Sequence, residues 1–109
     1  MNIALIGYGK MGKAIEEIAD NKGHSIVLKI DLDNKKDLTI SNLQKADVAI
    51  ECTGPDTAAD TIYVCMDAGV PVISGSTGWL NKLAAVQDYC KEKNGSFLYA
   101  SNFSIGVNL

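Results

Sequence analysis

The 109-residue sequence lacks long apolar runs, blocks of basic residues and a signal-peptide layout. No apolar stretch approaches the roughly 20 residues that a membrane-spanning helix needs. The net charge of −3 without a basic block argues against nucleic acid or an anionic membrane as the main partner. Gly7 interrupts the apolar residues that begin at Ile3, which is unlike a signal peptide. We therefore expect a cytoplasmic protein that binds neither nucleic acid nor a membrane.

The sequence also lacks a regular spacing of cysteines. Cys52, Cys65 and Cys90 are odd in number and far apart, so they fit neither a disulfide framework nor a zinc site. We interpret them as small core residues in a reducing compartment, and we expect no metal site.

Short apolar segments alternate with amphipathic ones along the whole chain. The predicted strands are residues 2–6, 26–30, 48–52, 71–74 and 96–100. The predicted helices are residues 10–21, 55–68 and 81–93, with one further helical turn at 41–45. Apolar strands that alternate with helices are typical of a parallel sheet covered on both faces. The sequence therefore predicts a single α/β domain with a Rossmann-type, doubly wound parallel sheet of about five strands.

A glycine-rich loop separates the first predicted strand from the first helix. It reads Gly7-Tyr8-Gly9-Lys10-Met11-Gly12, the G-x-G-x-x-G pattern. In this position the pattern is a dinucleotide fingerprint rather than an ordinary turn. Gly7 permits the tight turn, Gly9 lets a pyrophosphate approach the backbone, and Gly12 lets helix and strand pack closely. The N–H groups of the following helix then face the phosphates.

Asp31 ends the second predicted strand, where a carboxylate accepts hydrogen bonds from the adenosine ribose. The same charge repels a 2′-phosphate, and no arginine follows to reverse that effect. The position thus favours NADH over NADPH. Lys35 and Lys36 lie close enough in sequence to soften the preference, so use of both cofactors stays open.

The other strands also end in small or polar residues. The segments that follow them are Cys52-Thr53-Gly54-Pro55, Gly75-Ser76-Thr77-Gly78-Trp79 and Ser101-Asn102-Phe103. Such residues are common in ordinary turns, but all of these segments converge on the carboxyl edge of a parallel sheet. Ligands bind at that edge, so we predict one continuous cleft.

Three residues near this region carry no predicted catalytic role. His24 begins the second strand, at the opposite end of the sheet from the cleft. Glu51 lies inside the third strand, where we expect a structural partner without a defined role. Trp79 is interpreted as a packing residue beside the cleft.

The loops taken together resemble those of the dihydrodipicolinate reductase family. The resemblance covers the whole chain and rests on the segments GYGKMG, TGPDTA, SGSTGW and ASNFSIGVNL in this order. It implies hydride transfer from NADH or NADPH to a cyclic imine-type dicarboxylate, 4-hydroxy-tetrahydrodipicolinate, in lysine and diaminopimelate biosynthesis. The fragment 1–109 would then be the dinucleotide-binding domain of a longer two-domain enzyme.

The resemblance also implies roles for individual residues. The first loop cradles the pyrophosphate and Asp31 meets the ribose. The nicotinamide lies along Gly75, Ser76 and Thr77, and it is held by a second group of residues, Ser101, Asn102 and Phe103. Thr53 and Gly54 complete the cofactor site, and Thr77 also approaches the substrate.

The sequence departs from the family pattern in two respects. Ser76 replaces the usual threonine but keeps the hydroxyl. The second family domain, which holds the proton-donating histidine, its supporting lysine and the tetramer contacts, has no counterpart in these 109 residues. We therefore expect no catalytic residue in this fragment, no activity from it alone, a homotetramer for the full-length protein and a monomer for the fragment. The alternatives are the front half of another dehydrogenase, such as a homoserine or diaminopentanoate dehydrogenase, and a non-catalytic NAD-binding sensor.

Overall fold

The computed structural model describes residues 1–76 and 78–99. Its five parallel strands form one sheet in the order β2-β1-β3-β4-β5. The strands are β1 (Asn2–Ile6), β2 (Ser25–Ile30), β3 (Val48–Glu51), β4 (Val72–Ser74) and β5 (Phe97–Tyr99). The helices are α1 (Lys10–Asn21), α2 (Ile40–Leu43), α3 (Ala58–Asp67) and α4 (Leu83–Glu92), and two 3₁₀ turns cover Lys35–Asp37 and Leu80–Lys82. The predicted α/β architecture is confirmed.

The strand order reverses direction next to β1, and this creates the crevice of the fold. The connection through α1 leads from β1 to β2, whereas the later connections lead from β3 outward to β4 and β5. With right-handed crossovers, α1 therefore lies on one face of the sheet and α3 and α4 lie on the other. The carboxyl ends of β1 and β3 meet at this switch point, where ligands bind in open α/β sheets.

Apolar side chains of the central strands hold the two layers together. Ala4, Leu5 and Ile6 of β1 are fully buried, as a strand with helices on both faces requires. Ile62 of α3 and Val86 of α4 are also fully buried in the main core.

Two helices begin later than the sequence pattern predicts. α3 begins at Ala58 rather than at residue 55, because residues 55–57 form a turn. Pro55 instead packs against Gly78, where an added Cβ would lie 3.0 Å from the proline Cβ. α4 begins at Leu83 because the residues before it form a 3₁₀ turn.

No helix within the described residues is long and apolar enough to cross a membrane.

Candidate functional site

A cavity of about 560 Å³ opens at the switch point, between the ends of β1, β2 and β3. Six of the residues proposed for cofactor binding line it, namely Gly7, Tyr8, Gly9, Asp31, Thr53 and Gly54. The remaining lining is mostly apolar, with Ile30, Leu38 and Val64 among its members. This combination of an apolar slot and a few convergent polar groups is typical of a cofactor site.

The first glycine loop is shaped by backbone contacts. Gly7 has a φ of +99°, and a Cβ there would lie 2.5 Å from the carbonyl oxygen of Cys52. A Cβ on Gly12 would lie 2.3 Å from the carbonyl oxygen of Gly7. Both positions therefore require glycine for close approach of the backbone.

Gly9 differs from its neighbours because nothing lies within 4 Å of the position that its Cβ would occupy. It is the N-cap residue of α1, and no side chain caps that end of the helix within the described residues. The N–H groups of the first turn and the positive end of the helix dipole are therefore available to an anion. An open glycine cradle at an uncapped helix end fits the pyrophosphate of a dinucleotide.

Tyr8 is held by a polar cluster beside the loop. Its hydroxyl donates to Glu16 Oε1 at 2.5 Å, and Lys29 Nζ donates to Glu16 Oε2 at 3.1 Å. The Tyr8 hydrogen bond lowers the pKa of Glu16, and the same bond raises the pKa of Tyr8. Lys29 lies 4.3 Å from the centre of the Tyr8 ring, so a cation–π contact also holds the ring in place.

Asp31 lies at the exposed end of β2, where a compact turn fixes it. Its Oδ1 accepts from Leu32 N at 2.8 Å, and Asn34 Oδ1 accepts from Asp31 N at 2.6 Å. Asn34 Nδ2 also donates to the carbonyl oxygen of Lys29 at 2.8 Å. Asp31 lines the cavity, and the hydrogen bonds of this turn involve its Oδ1 and its backbone N–H.

Sequence reasoning missed two acidic residues of the lining, Asp56 and Asp60. Both are exposed and lie at the beginning of α3. Their position directly after β3, at the carboxyl edge of the sheet, was the signal that could have found them. Lys35 is the one lysine among the lining residues.

Glu51 has a definite place that the sequence did not reveal. It is fully buried at the end of β3, and its carboxylate accepts four hydrogen bonds. The donors are Thr53 N, Thr53 Oγ1, Ser74 Oγ and Ser76 Oγ, each at 2.6 Å. The expectation of a structural partner is thus correct, and the partner set joins the loops that follow β3 and β4.

The loop after β4 reaches the first loop through Gly75 and Ser76. Ser76 Oγ accepts from Gly54 N at 3.0 Å, which links it to the cavity wall. A Cβ on Gly75 would lie 3.3 Å from Met11 Sδ, so Met11 of α1 contacts this loop. Lys10 is exposed at the beginning of α1 and does not line the cavity.

Trp79 and His24 lie where the sequence predicted. Trp79 is fully buried, its Nε1 donates to the Ser76 carbonyl oxygen at 3.1 Å, and its ring packs edge-on against Phe97 and Tyr99. His24 precedes β2, at the amino edge of the sheet, with Nδ1 2.9 Å from the Met1 amino group. Trp79 is thus a packing residue, and His24 is remote from the cavity.

The predicted contributions of Thr77, Ser101, Asn102 and Phe103 lie outside the described residues. They stay predictions.

The cysteines are free thiols. Burial, with a smaller contribution from the Glu51 charge, raises the pKa of both Cys52 and Cys65 to about 12. Within residues 1–76 and 78–99, no group of three or more histidine, cysteine or acidic side chains could hold a metal ion.

Comparison with known proteins agrees with the geometry of the cavity and the glycine loop. A family model described as "Dihydrodipicolinate reductase, N-terminus" matches residues 1–103. The chain is 48% identical, over its whole length, to a 4-hydroxy-tetrahydrodipicolinate reductase from Christiangramia forsetii, and it covers 45% of that protein. A protein of the same name from Staphylococcus epidermidis is 31% identical over 99% of the chain, which covers 46% of the relative. The chain therefore spans a little under half the length of these curated relatives.

Solved structures share the fold at lower identity. An NAD-binding protein from Listeria innocua matches with a TM-score of 0.74 and 19% identity, over 93% of this chain and 34% of that one. A putative myo-inositol dehydrogenase from Sinorhizobium meliloti matches with a TM-score of 0.73 and 20% identity, over 92% of this chain and 36% of that one. A putative homoserine dehydrogenase from Archaeoglobus fulgidus matches with a TM-score of 0.69 and 14% identity, over 91% and 42% of the two chains. At these identities the likeness concerns the fold alone.

Proposed function

The chain belongs to the dihydrodipicolinate reductase family, whose N-terminal part it matches, and from this premise we propose that it supplies the dinucleotide site of a 4-hydroxy-tetrahydrodipicolinate reductase. The reaction is the NAD(P)H-dependent reduction of 4-hydroxy-tetrahydrodipicolinate to tetrahydrodipicolinate, a step of lysine and diaminopimelate biosynthesis. Relatives that bear this reductase name support the assignment.

One observation carries the proposal. Gly9 presents an open backbone at the uncapped beginning of α1, at the mouth of the cavity between β1 and β3. The flanking glycines cannot accept a side chain without moving the backbone, so the loop keeps this open shape. A dinucleotide pyrophosphate is the anion that this arrangement fits best.

The nicotinamide cofactor supplies the hydride, and the residues of this chain bind and orient it. The N–H groups at the beginning of α1 hold the pyrophosphate, and Asp31 accepts hydrogen bonds from the adenosine ribose. The loops at Thr53-Gly54 and Gly75-Ser76 form the wall toward the nicotinamide. Fixing one ring face toward the substrate is a large part of hydride-transfer catalysis.

The charges around the cavity favour NADH over NADPH. Asp31, Asp56 and Asp60 place negative charge in the lining, against the single lysine Lys35. Asp31 would repel a 2′-phosphate added to the ribose, and Lys35 compensates only in part because it is one positive charge of the lining against three negative charges.

The substrate site belongs to the same proposal. Thr77 would approach the dicarboxylate, and Ser101, Asn102 and Phe103 would hold the nicotinamide. The remaining length of the relatives would supply the proton donor and the tetramer contacts, since this chain covers less than half of them.

The test is a calorimetric titration of the protein with NADH and, separately, with NADPH. We expect saturable binding of both, tighter for NADH. Asp31→Asn should weaken NADH binding by about tenfold, the value of one charge-assisted hydrogen bond, and should narrow the gap to NADPH. Asp33→Asn is the matched control, because Asp33 is exposed two positions away and does not line the cavity.

Two results would contradict the proposal. If the folded protein bound neither dinucleotide, the proposed cofactor site would be wrong. If Asp31→Asn and Asp33→Asn weakened NADH binding equally, Asp31 would not belong to the site, and the loss would be a general effect of net charge. Reduction of 4-hydroxy-tetrahydrodipicolinate, followed by the loss of NADH absorbance in the full-length enzyme, tests the substrate assignment separately.

A further inference from the structure

The buried carboxylate of Glu51 determines which way neighbouring hydroxyl protons point. Its Oε2 accepts from Thr53 N, Thr53 Oγ1 and Ser76 Oγ, and its Oε1 accepts from Ser74 Oγ. Within residues 1–76 and 78–99, the donors to this carboxylate are hydroxyl and backbone groups, and no charged side chain lies among them. Each of these hydroxyls has one proton and gives it to Glu51.

Thr53 differs from the two serines because it faces the cavity. Thr53 is exposed and lines the cavity wall, whereas Ser74 and Ser76 are buried. Since its only hydroxyl proton is directed at Glu51 Oε2, Thr53 Oγ1 can offer nothing but lone pairs to a ligand. A hydroxyl that could otherwise donate or accept is therefore restricted to accepting.

We propose that Glu51 is a positioning residue that holds the Thr53 hydroxyl as an acceptor toward the cavity, where it binds an N–H or O–H donor of the dinucleotide. The inference rests on the proposed function. The dinucleotide carries three kinds of group with this chemistry, the ribose hydroxyls, the adenine amino group and the carboxamide N–H₂ of the nicotinamide.

A purely structural role for Glu51 would not need the hydroxyl of Thr53. The backbone N–H of Thr53 and the hydroxyl of Ser76 already bind the same carboxylate oxygen and join the two loops. The third bond to Oε2 adds little to that connection, but it fixes a side chain that a ligand can reach. Buried polar networks in which every member is satisfied specify one arrangement of their protons.

The experiment is a double-mutant cycle on NADH affinity, measured by calorimetry on the protein with urea unfolding recorded in parallel. Thr53→Val removes the hydroxyl at nearly constant volume and should weaken binding by about tenfold. Thr53→Ser keeps the hydroxyl and should restore most of the affinity. Glu51→Ala should weaken binding by a similar factor, because the Thr53 proton is then free to turn toward the ligand donor.

The double variant decides between positioning and structure. If Glu51 acts through Thr53, Glu51→Ala costs less affinity in the Thr53→Val background than in the unchanged protein, although it lowers stability in both. Glu51→Gln is the conservative rescue, since its amide oxygen can keep the Oε2 contacts while its nitrogen faces Ser74. Ser74→Ala is the matched control, because Ser74 binds the same carboxylate but does not line the cavity, and it should leave affinity unchanged.

A reduced dinucleotide with an acetylpyridine ring in place of nicotinamide tests the carboxamide as the donor. This analogue has no carboxamide N–H, so Thr53→Val should not weaken its binding if the carboxamide is the partner. An equal loss for NADH and the analogue would assign a ribose hydroxyl or the adenine amino group instead.

Wild-type affinity in Thr53→Val would overturn the inference, even if Glu51→Ala fails to fold. Additive losses in the double variant would overturn it as well. Failure of the wild-type protein to bind NADH or NADPH would overturn the proposed function, and the inference with it, so the two failures are distinguishable.

Discussion

The carbonyl oxygen of Gly7 lies 2.3 Å from the position that a Cβ on Gly12 would occupy. The first turn of α1 therefore rests directly on the backbone of the loop, and the two atoms nearest to an added Cβ are backbone atoms of Gly7, which cannot move aside as the end of a flexible side chain could. Gly9, between them in the same loop, has open space at the corresponding position. These glycines thus separate two requirements, close packing at Gly12 and ligand access at Gly9.

Gly12→Ala should lower the free energy of unfolding by about 2–3 kcal/mol, as overpacking against rigid backbone does. Gly9→Ala should lower it by less than about 1 kcal/mol, since the only cost is a poorer N-cap residue. Urea unfolding of both variants checks this difference.

Gly9→Ala, the variant with the smaller loss of stability, should show the larger loss of NADH affinity. Gly9→Ala remains folded but loses most of its NADH affinity, because the methyl group occupies the approach of the pyrophosphate. If Gly9→Ala bound NADH as the unchanged protein does, the pyrophosphate could not lie against this loop.

Much of the fold was predictable because its signals are local. The run of apolar residues in β1, the glycine loop and the amphipathic α1 are read from adjacent residues, and the bounds of β1 and α1 agree with the structure. The beginning of α3 was wrong because it depends on Pro55 packing against Gly78, a contact between distant segments. Sequence patterns contain no record of that contact.

The same distinction applies to the site. Asp31 and Thr53 follow strands, so parallel topology alone places them at one edge, and both line the cavity. The role of Glu51 could not be predicted, because its four donors come from Thr53 after β3 and from Ser74 and Ser76 at the end of β4, which meet only in the folded protein. A single glutamate inside an apolar strand signals a buried partner set but does not identify its members.

Cys52 and Cys65 should resist alkylation in the native protein. Their pKa is raised from 9.0 to about 12 by burial and, to a smaller extent, by the Glu51 charge, so both stay protonated at pH 8. The thiolate is the reactive form, and we expect iodoacetamide to label both at least about a hundredfold more slowly than in the unfolded chain. Mass spectrometry of the labelled peptides gives the rates, with the partly exposed Cys90 as the internal comparison.

The sign of the associated stability change follows from the same shift. Folding favours the neutral thiol. The contribution of Cys52 and Cys65 to the free energy of unfolding is therefore complete below pH 9 and is lost as the pH rises toward about 12. Rapid labelling of native Cys65 at pH 8 would contradict the burial that the structure gives it.

The pKa of Glu16 should rise in Tyr8→Phe. The Tyr8 hydrogen bond is the largest cause that holds this pKa below its ordinary value of 4.5, and the Lys29 hydrogen bond is the next. Lys29→Met should raise this pKa as well, because it removes both the Lys29 hydrogen bond and the Lys29 charge. The Glu16 carboxyl carbon shift, followed by NMR as a function of pH, measures both.

The pH dependence of stability has a defined direction here. A lowered folded pKa means that the contribution of Glu16 is present above pH 4.5 and is lost as the pH falls through the folded value. Since the cluster is solvent-exposed, the effect on unfolding should be small and should shrink with added salt. An unchanged Glu16 titration in Tyr8→Phe would mean that the hydroxyl does not donate to this carboxylate.

Trp79→Phe should lower the free energy of unfolding by about 2 kcal/mol and also weaken the loop after β4. Trp79 is fully buried, and phenylalanine leaves part of its volume empty and removes the Nε1–H bond to the Ser76 carbonyl oxygen. Leu80→Ala, at the exposed neighbouring position, should change stability by less than about 0.5 kcal/mol.

Trp79→Phe should also affect the cavity wall, because Trp79 is linked to that wall through Ser76. The Ser76 carbonyl oxygen accepts from Trp79, and the Ser76 hydroxyl is hydrogen-bonded to Glu51 and Gly54. Loss of the Trp79 hydrogen bond should therefore make the wall of the cavity more mobile. We expect faster amide hydrogen exchange at Gly54 and a several-fold weaker NADH affinity in Trp79→Phe than in Leu80→Ala. If stability fell but exchange at Gly54 and NADH affinity stayed at the values of the unchanged protein, the Trp79 contact would serve the core alone, and the Glu51 network would hold the loop without it.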